Sequence, residues 1–395
     1  MTSVSDRQPA LKILHVIPSV AAVHGGPSVM IGMMARGLSQ SGFDVHIATT
    51  NDDGAGKLSV PLGEPVLRDG LTYWYFDRQT QFYKFSMPLS RWLSKHVSDY
   101  RLVHIHALFS HSSYAAAHWA RRRKVPYIVR PLGVLNRWGM ENRRPWLKNL
   151  SYRLLESRIL AHAALIHFTS EQERDEASLL GVKAESVIVP NPVPTASGTA
   201  LPGSFRAVHP ELAGREIILF LSRFDRKKGL ELLLPAFARV HQRIPSAALV
   251  LAGSGDASLV DELKTQARAL GIADDILWAG FLQNEAKLAA FAAAAVFVLP
   301  SWSENFGVAV IEAMAAGCPV VVTDQVAVHT DIAANKAGYV VPCDVEALAG
   351  ALLEILEDQP ARAIMGLNGK CLTQTHYSPA AVTAKLTAAY RAILA

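Results

Sequence analysis

The chain has 395 residues, half of them hydrophobic and 18% charged, with 26 Gly and 21 Pro. That length suits two or three ordinary domains, and the composition excludes a disordered, collagen-like or low-complexity polypeptide. The net charge of +5 is too small to name a partner by itself.

The longest apolar run, Leu288 to Pro300, falls well short of the roughly 20 residues that span a bilayer. The first segment, MTSVSDRQPALKILHVIP, lacks the charged-then-apolar order of a secretory leader. Cys318, Cys343 and Cys371 show no paired or metal-ligand spacing and read as reduced thiols, so a cytoplasmic protein is expected.

In chain order, LKILHVIP is a short apolar strand, and after Gly25-Gly26 comes a helical pattern, SVMIGMMARGLSQSG, closed by Gly42. FDVHIAT follows as a second strand, which makes a βαβ unit and implies a parallel sheet. The aromatic run TYWYF at 72–76 reads as a strand with core contacts. The same alternation continues with a strand at 102–106, a helix at 110–123 and a strand at 127–130. A long helix at 145–163, a strand at 165–169, a helix at 170–180 and a strand at 186–189 complete the first half. A proline-rich stretch, VPNPVPTASGTALPGSFRAVHPELAGRE, then breaks the pattern and reads as an interdomain connection.

The second half repeats the alternation. Strands are expected at 217–222, 248–252, 276–278, 296–299 and 319–323, with helices at 229–243, 259–270, 285–293 and 306–316 between them. The stretch 344–394 is mostly helical. The whole reads as α/β, with two doubly wound domains in series, and such sheets bind ligands outside the carboxyl ends of their strands. The expected divisions are 1–190, a linker at 191–215, a second domain at 216–375 and a C-terminal helix at 376–395 that crosses back to the first.

Charge is concentrated between 121 and 158. Arg121, Arg122, Arg123, Lys124, Arg130, Arg137, Arg143, Arg144, Lys148, Arg153 and Arg158 lie there, against Glu141 and Glu156. Such a patch suits an anionic surface or is simply a solvated face. Within it, 133–150 mixes Trp138, Met140 and Trp146 with basic residues, the composition of an interfacial segment.

Two stretches carry chemistry. In SRFDRKKGL, Arg223 leaves a strand tip and Lys228 precedes the first turn of a helix, which is the makeup of an anion site. In PSWSENFGVAVIEAMAAGCPVVVT, Glu304 stands in a loop at a strand's carboxyl end. The helix is expected to begin at Ser303 or Glu304, so that Asn305, Phe306 and Gly307 offer free backbone N–H groups. Glu312 lies in an otherwise apolar helix and needs a partner, either a pair of ribose hydroxyls or a protein donor. His104 and His106 share one face of a strand, with His106 nearer its carboxyl end. Asp52-Asp53 and Asp274-Asp275 read as turns rather than cation sites.

The order Arg-x4-Lys-Gly followed by Glu-x7-Glu ending in AMAAGCPVV resembles family 4 glycosyltransferases, retaining enzymes of the GT-B fold that use nucleotide-sugar donors. Gly25-Gly26, VHIHALFS and VPNPV are similar to the family's N-terminal glycine loop, its His-bearing segment and its hinge entrance. YIVRPLGVLNRWG is similar to a variant found in bacterial exopolysaccharide and O-antigen enzymes. The resemblance implies two Rossmann-like domains facing across a central cleft, the first for the acceptor and the second for the donor.

It further implies that Arg223 and Lys228 bind the donor diphosphate and stabilise the charge of the departing leaving group. Glu312 would take the ribose. Glu304, with the backbone of Asn305, Phe306, Gly307 and Val308, would hold the sugar and distal phosphate. Gly25 and Gly26 would let the N-terminal loop approach the diphosphate, and Gly280 with Phe281 would meet the base. His106 would stand near the sugar's primary hydroxyl and the acceptor.

Neither a metal nor another cofactor is implied. The expected activity is transfer of a hexose to a saccharide or lipid-linked acceptor in cell-surface or exopolysaccharide synthesis. The protein would then be cytoplasmic, in peripheral contact through 121–158 with anionic lipid on the inner face of the membrane. Two alternatives stay open: a GT-B nucleotide-sugar epimerase, and a non-catalytic protein that binds an anionic surface. No nucleic-acid module is recognisable.

Overall fold

The computed structural model describes residues 10–135, 145–194 and 203–395. The chain forms two compact units, Met1–Pro192 together with Pro379–Ala395, and Val193–Ser378.

The first unit is built on an eight-stranded sheet. Its strands are β1 (Lys12–Val16), β2 (Asp44–Thr50), β5 (Pro65–Arg68), β6 (Leu71–Phe76), β7 (Leu102–His106), β8 (Tyr127–Arg130), β9 (Leu165–Phe168) and β10 (Ser186–Ile188), while β3 (Asp52–Asp53) and β4 (Gly56–Lys57) form a separate small hairpin. The order across the sheet is β10-β9-β8-β7-β1-β2-β6-β5. All pairs are parallel except β5 with β6. The helices are α1 (Gly26–Gln40), α2 (Met87–His96), α3 (His111–Arg122), α4 (Pro145–Ser151), α5 (Ser157–Ala161) and α6 (Glu171–Leu179), and a π-turn, Tyr152–Glu156, joins α4 to α5.

Alternate residues of a strand face opposite sides of its sheet, and the two faces here differ. One carries Leu14, Val16, Val103, Ile105, Val129 and Ile166, packed in an apolar cluster with residues of α2 and α3. The other carries His15, His104, His106, Arg130 and His167, all buried. In register, His15 pairs with His104 and His106 with Arg130. Strand order reverses at β7-β1, so the loops after these two strands leave the sheet side by side at its carboxyl edge.

The second unit has six parallel strands, β11 (Glu216–Leu221), β12 (Ala247–Ala252), β13 (Ile276–Gly280), β14 (Val296–Leu299), β15 (Val320–Thr323) and β16 (Gly338–Val341), in the order β13-β12-β11-β14-β15-β16. Its helices are α7 (Ser204–Val208), α8 (Leu230–Arg243), α9 (Ala257–Ala269), α10 (Asn284–Ala293), α11 (Val308–Ala316), α12 (His329–Ala334), α13 (Val345–Glu357) and α14 (Gln359–Leu372). Strands β11, β12, β14 and β15 are almost wholly buried, as expected of parallel strands covered on both faces. The order reverses at β11-β14, which again sets two loops together at the carboxyl edge.

The last helix, α15 (Pro379–Leu394), belongs to the first unit. It crosses α1 where Gly37 meets Thr383: a Cβ on Gly37 would stand 2.0 Å from the Thr383 hydroxyl, so only glycine permits that approach. The helix brings Tyr390 to the histidine-bearing face of the sheet.

Several expectations are corrected. The proline-rich connection is not irregular throughout: it carries α7 and a short turn at Pro210–Leu212, because Phe205 and Leu212 are buried there. Helix α11 begins at Val308, two residues after the expected 306 and five or four after Ser303 or Glu304, because Gly307 caps it from a left-handed conformation (φ 79°, ψ 57°). Arg130 is buried and does not belong to the basic surface. Glu156 is buried too, hydrogen-bonded by Tyr83 and Ser151. Asp52 is more than a turn residue: its buried carboxylate takes Arg78, Lys84 and His24. Arg137, Trp138, Met140, Glu141, Arg143 and Arg144 lie outside the described residues.

Candidate active site

In the second unit the loop after β11 holds the first expected motif. Arg223 is 65% exposed and reaches Asp225 at 3.4 Å. Asp225 caps the short turn Arg226–Lys228 by accepting the Lys227 N–H at 3.2 Å. Gly229 then turns the chain into α8 with φ 70°. A Cβ there would lie 1.9 Å from the Pro300 carbonyl oxygen, so this position requires glycine on two counts. The close approach joins the loops after β11 and β14. The Trp302 N–H donates to the Lys227 carbonyl at 2.8 Å, and the Trp302 indole donates to Glu231 at 2.5 Å.

Lys228 and Glu304 meet where these loops join. The Lys228 ammonium donates to the Glu304 carboxylate, and both groups are largely shielded from water. Glu304 is fixed from both sides of its own backbone: its N–H donates to Gln325 at 3.0 Å, and its carbonyl accepts from Ala327 at 2.9 Å. Burial pushes the Glu304 carboxyl pKa up. The Lys228 charge and hydrogen bond, with Lys227 and the Phe306 N–H, outweigh it and hold the group below the usual carboxylate range. Lys227 shifts down, chiefly through burial, despite the pull of Glu304.

The first turn of α11 leaves N–H groups without an acceptor inside the helix, and Gly307 offers no side chain to cap them. The helix therefore presents the positive end of its dipole beside Glu304 and Lys228. Asn305 and Phe306 precede the helix rather than lying within it, and the Phe306 ring is buried. Glu312 faces Lys287 of α10, with Nζ 2.6 Å from its carboxylate. Of the two partners the sequence left open, the protein donor is thus the one present. Gly280 ends β13 and its carbonyl accepts the Gly253 N–H at 2.7 Å. Phe281 beside it is 69% exposed.

The structure therefore brings Lys228, Glu304 and the Asn305–Val308 backbone together, with Arg223 on the same loop as Lys228. Glu312 stands one helical turn along α11, and Gly280 with Phe281 lie at the end of another strand. Lys227 and Lys287 were not singled out from sequence. A lysine among the alanines of α10 carries no signal until that helix packs on α11.

In the first unit, Gly25 caps α1 with φ 71° and Gly26 is its first residue. His106 ends β7, and the chain after it passes through left-handed conformations at Ala107 (φ 72°) and Phe109 (φ 54°). Such backbone costs of order 1–3 kcal/mol per residue and gathers at functional loops. His106 sits in a buried network of four histidines and one tyrosine. His15 Nδ1 lies 3.0 Å from His106 Nε2, and Tyr390 Oη lies 3.2 Å from His15 Nε2. His104 Nδ1 lies 2.6 Å from the same hydroxyl, His167 Nδ1 lies 3.3 Å from His104 Nε2, and His167 Nε2 reaches the Val189 carbonyl at 2.7 Å. Burial, reinforced by the Arg130 charge, lowers the His15 pKa to about 3. His104, His106 and His167 are likewise well below the ordinary value, above all through burial.

Beside the loop after β7 lies an apolar groove of about 990 Å³, lined by Phe82, Tyr83, Phe85, Phe109, Leu150 and Leu154 with Lys148 among them. Phe82, Leu150 and Leu154 are exposed.

Two family models match the chain: "Glycosyl transferase 4-like domain" over residues 25–192 and "Glycosyl transferases group 1" over residues 204–371. The phosphatidyl-myo-inositol mannosyltransferase of Mycolicibacterium smegmatis is 34% identical over 180 residues, which are 45% of this chain and 45% of that protein. The matched region thus spans less than half the length of that relative. Among solved structures, sucrose-phosphate synthase from Thermosynechococcus elongatus superposes with a TM-score of 0.77 at 21% identity, covering 97% of this chain and 99% of that one. Anabaena HepE, solved in complex with UDP and glucose, gives 0.74 at 16% identity, covering 97% and 100%. These likenesses extend over both doubly wound units and the returning C-terminal helix. With the two models taking up most of the sequence between them, the chain belongs to the GT-B glycosyltransferases of the family 4 kind.

Proposed function

We propose that the protein transfers a hexose from a nucleoside-diphosphate sugar, with retention at the anomeric carbon, to a saccharide carried on a lipid, as in cell-surface or exopolysaccharide synthesis. The observation that carries the reading is the meeting of Lys228 and Glu304 beside the N-terminus of α11 at the β11-β14 switch point, with Arg223 on the same loop as Lys228. Two cations and a helix dipole there suit a diphosphate whose charge grows as the glycosidic C–O bond breaks. Arg223 supplies a planar fork for phosphate oxygens, and Lys228 a point charge held in place by Glu304.

In this reading the second unit carries the donor. Glu304 and the backbone of Asn305, Phe306, Gly307 and Val308 hold the sugar and distal phosphate. Glu312 takes the ribose, and Gly280 with Phe281 border the base. Gly25 and Gly26 allow close passage of the diphosphate, and His106 faces a sugar hydroxyl. The acceptor hydroxyl attacks on the face from which the diphosphate leaves, and a diphosphate oxygen takes its proton. Catalysis is then positioning and charge stabilisation, and Arg223 with Lys228 replace a metal ion.

The first unit carries the acceptor. Its groove is apolar, opens beside the loop that follows His106, and has a cation, Lys148, in its wall, so it suits an acyl or isoprenoid chain with an anionic head. The exposed Arg121, Arg122, Arg123, Lys124, Arg153 and Arg158 would rest on anionic lipid on the cytoplasmic side of the membrane.

The test is transfer measured with Arg223→Ala and Lys228→Ala. Each is expected to lose roughly 2–4 kcal/mol of transition-state stabilisation without unfolding, and normal turnover in both would remove the donor assignment. In the same assay, Leu154→Glu should impair transfer to a lipid-linked saccharide and spare a water-soluble one. Equal effects on both acceptors would remove the lipid.

A further inference from the structure

The histidine network of the first unit has a direction that the geometry determines. A carbonyl oxygen only accepts, so His167 must donate Nε2–H to Val189. A neutral imidazole has one N–H and one lone pair, which makes His167 Nδ1 the acceptor and His104 Nε2–H its donor. His104 Nδ1 then accepts, and among the described residues its partner is the Tyr390 hydroxyl. The Tyr390 oxygen is left to accept from His15 Nε2–H, and His15 Nδ1 accepts from His106 Nε2–H. Every link follows from the one before, and the chain ends at His106 Nδ1, a buried lone pair with no partner among the described residues.

The premise is that all four rings are neutral. They are fully buried, and the Arg130 guanidinium stands on the same face, beside His106 in register, where it opposes any added positive charge. The same ordering bears on metal binding. His15, His104 and His106 bring nitrogens within 4.8 Å of one another, a spacing that would admit an ion. Yet each neutral ring offers one lone pair, and those of His15 and His104 already accept hydrogen bonds, so a metal would have to break the chain at two links.

We propose that His15, His104, His167 and Tyr390 are positioning residues that fix His106 as its Nε2–H tautomer, so that it meets substrate only as a hydrogen-bond acceptor through Nδ1. Arg130 Nε, also buried and without a partner among the described residues, is a donor on the neighbouring strand. An acceptor and a donor on paired strand ends suit a hydroxyl, which can satisfy both. The ligand in this inference is a sugar hydroxyl, and that part rests on the transferase reading. The tautomer does not, and Tyr390 places control of it on the C-terminal helix.

The experiment is two-bond 1H–15N NMR of the full-length chain labelled with 15N-histidine at pH 7.5, with His106 assigned from the signal lost in His106→Asn. The expected spectrum shows His106 neutral with its proton on Nε2 and three further buried rings in the same tautomer. A proton on His106 Nδ1, or an imidazolium, overturns the proposal. In Tyr390→Phe the link between His15 and His104 is cut. His106 should then populate both tautomers, and kcat should fall about ten-fold, the scale of losing a group that orients a functional histidine, with the donor KM unchanged. A single Nε2–H tautomer with full kcat in that variant also overturns it. If the variant does not fold, the wild-type spectrum decides. A wild-type chain with the expected tautomers and no transfer to any acceptor would sink the transferase reading and leave the chain of hydrogen bonds standing.

Discussion

Lys228 and Glu304 neutralise each other before any ligand arrives, and this shapes what the pair can do. An ammonium this buried would be costly without a partner; Glu304 supplies one and aims it, and a phosphate binding there must share it. The four histidines of the first unit solve the opposite problem, since burial keeps them uncharged. Their folded pKa values lie below the ordinary 6.5, so below pH 6.5 the unfolded chain takes up protons that the folded one refuses. Stability is therefore lost as pH falls from 6.5 toward the folded values, by up to about 1.4 kcal/mol per histidine per pH unit. The lowered carboxyls of Glu304 and Asp52 contribute at higher pH and lose that contribution only as pH falls through their folded values, below the carboxylate range. The loss between pH 6.5 and 5 thus belongs to the histidines. Calorimetry in buffers of different ionisation enthalpy should find unfolding at pH 5 coupled to uptake of about four protons by these rings, with a further contribution from His46 and His111, whose pKa values burial also lowers. Uptake near zero would mean that these rings are charged or exposed in the folded protein.

At the scale of elements, the candidate donor site exists because two strand-to-helix loops touch. Gly229 is the point of contact. Gly229→Ala would set a methyl group 1.9 Å from the Pro300 carbonyl in a backbone conformation that itself disfavours alanine. The expected cost is about 2 kcal/mol or more, read as a lower thermal midpoint, together with weaker nucleotide binding as the loops part. An unchanged midpoint would show that the loops are free to separate. Strands were legible from their apolar runs in both sheets: the reading of 296–299 matches β14 at this edge, and those of 102–106 and 127–130 match β7 and β8 in the first unit. The start of α11 was not, because nothing in SENFGV announces that Gly307 turns left-handed and delays the helix. The hairpin strand β5, the helix α2 and the edge strand β16 were also missed. Each is short or half-exposed and owes its form to the neighbour it packs on, as Trp92 of α2 does on Trp74 of β6.

For the whole molecule, two doubly wound sheets each place their candidate residues at a point of strand-order reversal, His106 with Gly25 and Gly26 in one, Lys228 with Glu304 in the other. The alternation of strand and helix was enough to expect that architecture, and the Arg-x4-Lys-Gly and Glu-x7-Glu spacings were enough to find the second unit's loops. The buried network was not legible. His104 and His106 read as a pair on one strand face, but His15 and His167 each look like a lone polar residue in an apolar strand, and Tyr390 lies 284 positions beyond His106 in the sequence. Only folding of α15 onto the first unit unites them. In the same way, Arg130 reads as surface charge until the sheet encloses it.

In the proposed reading the loops after β11 and β14 hold a nucleoside diphosphate. The most direct measurement is a crystal structure of the protein with UDP or GDP. The two phosphates are expected against Arg223, Lys228 and the first N–H groups of α11, with the ribose on Glu312. A nucleotide bound elsewhere, with these side chains untouched and Lys228 still paired only to Glu304, would contradict that reading.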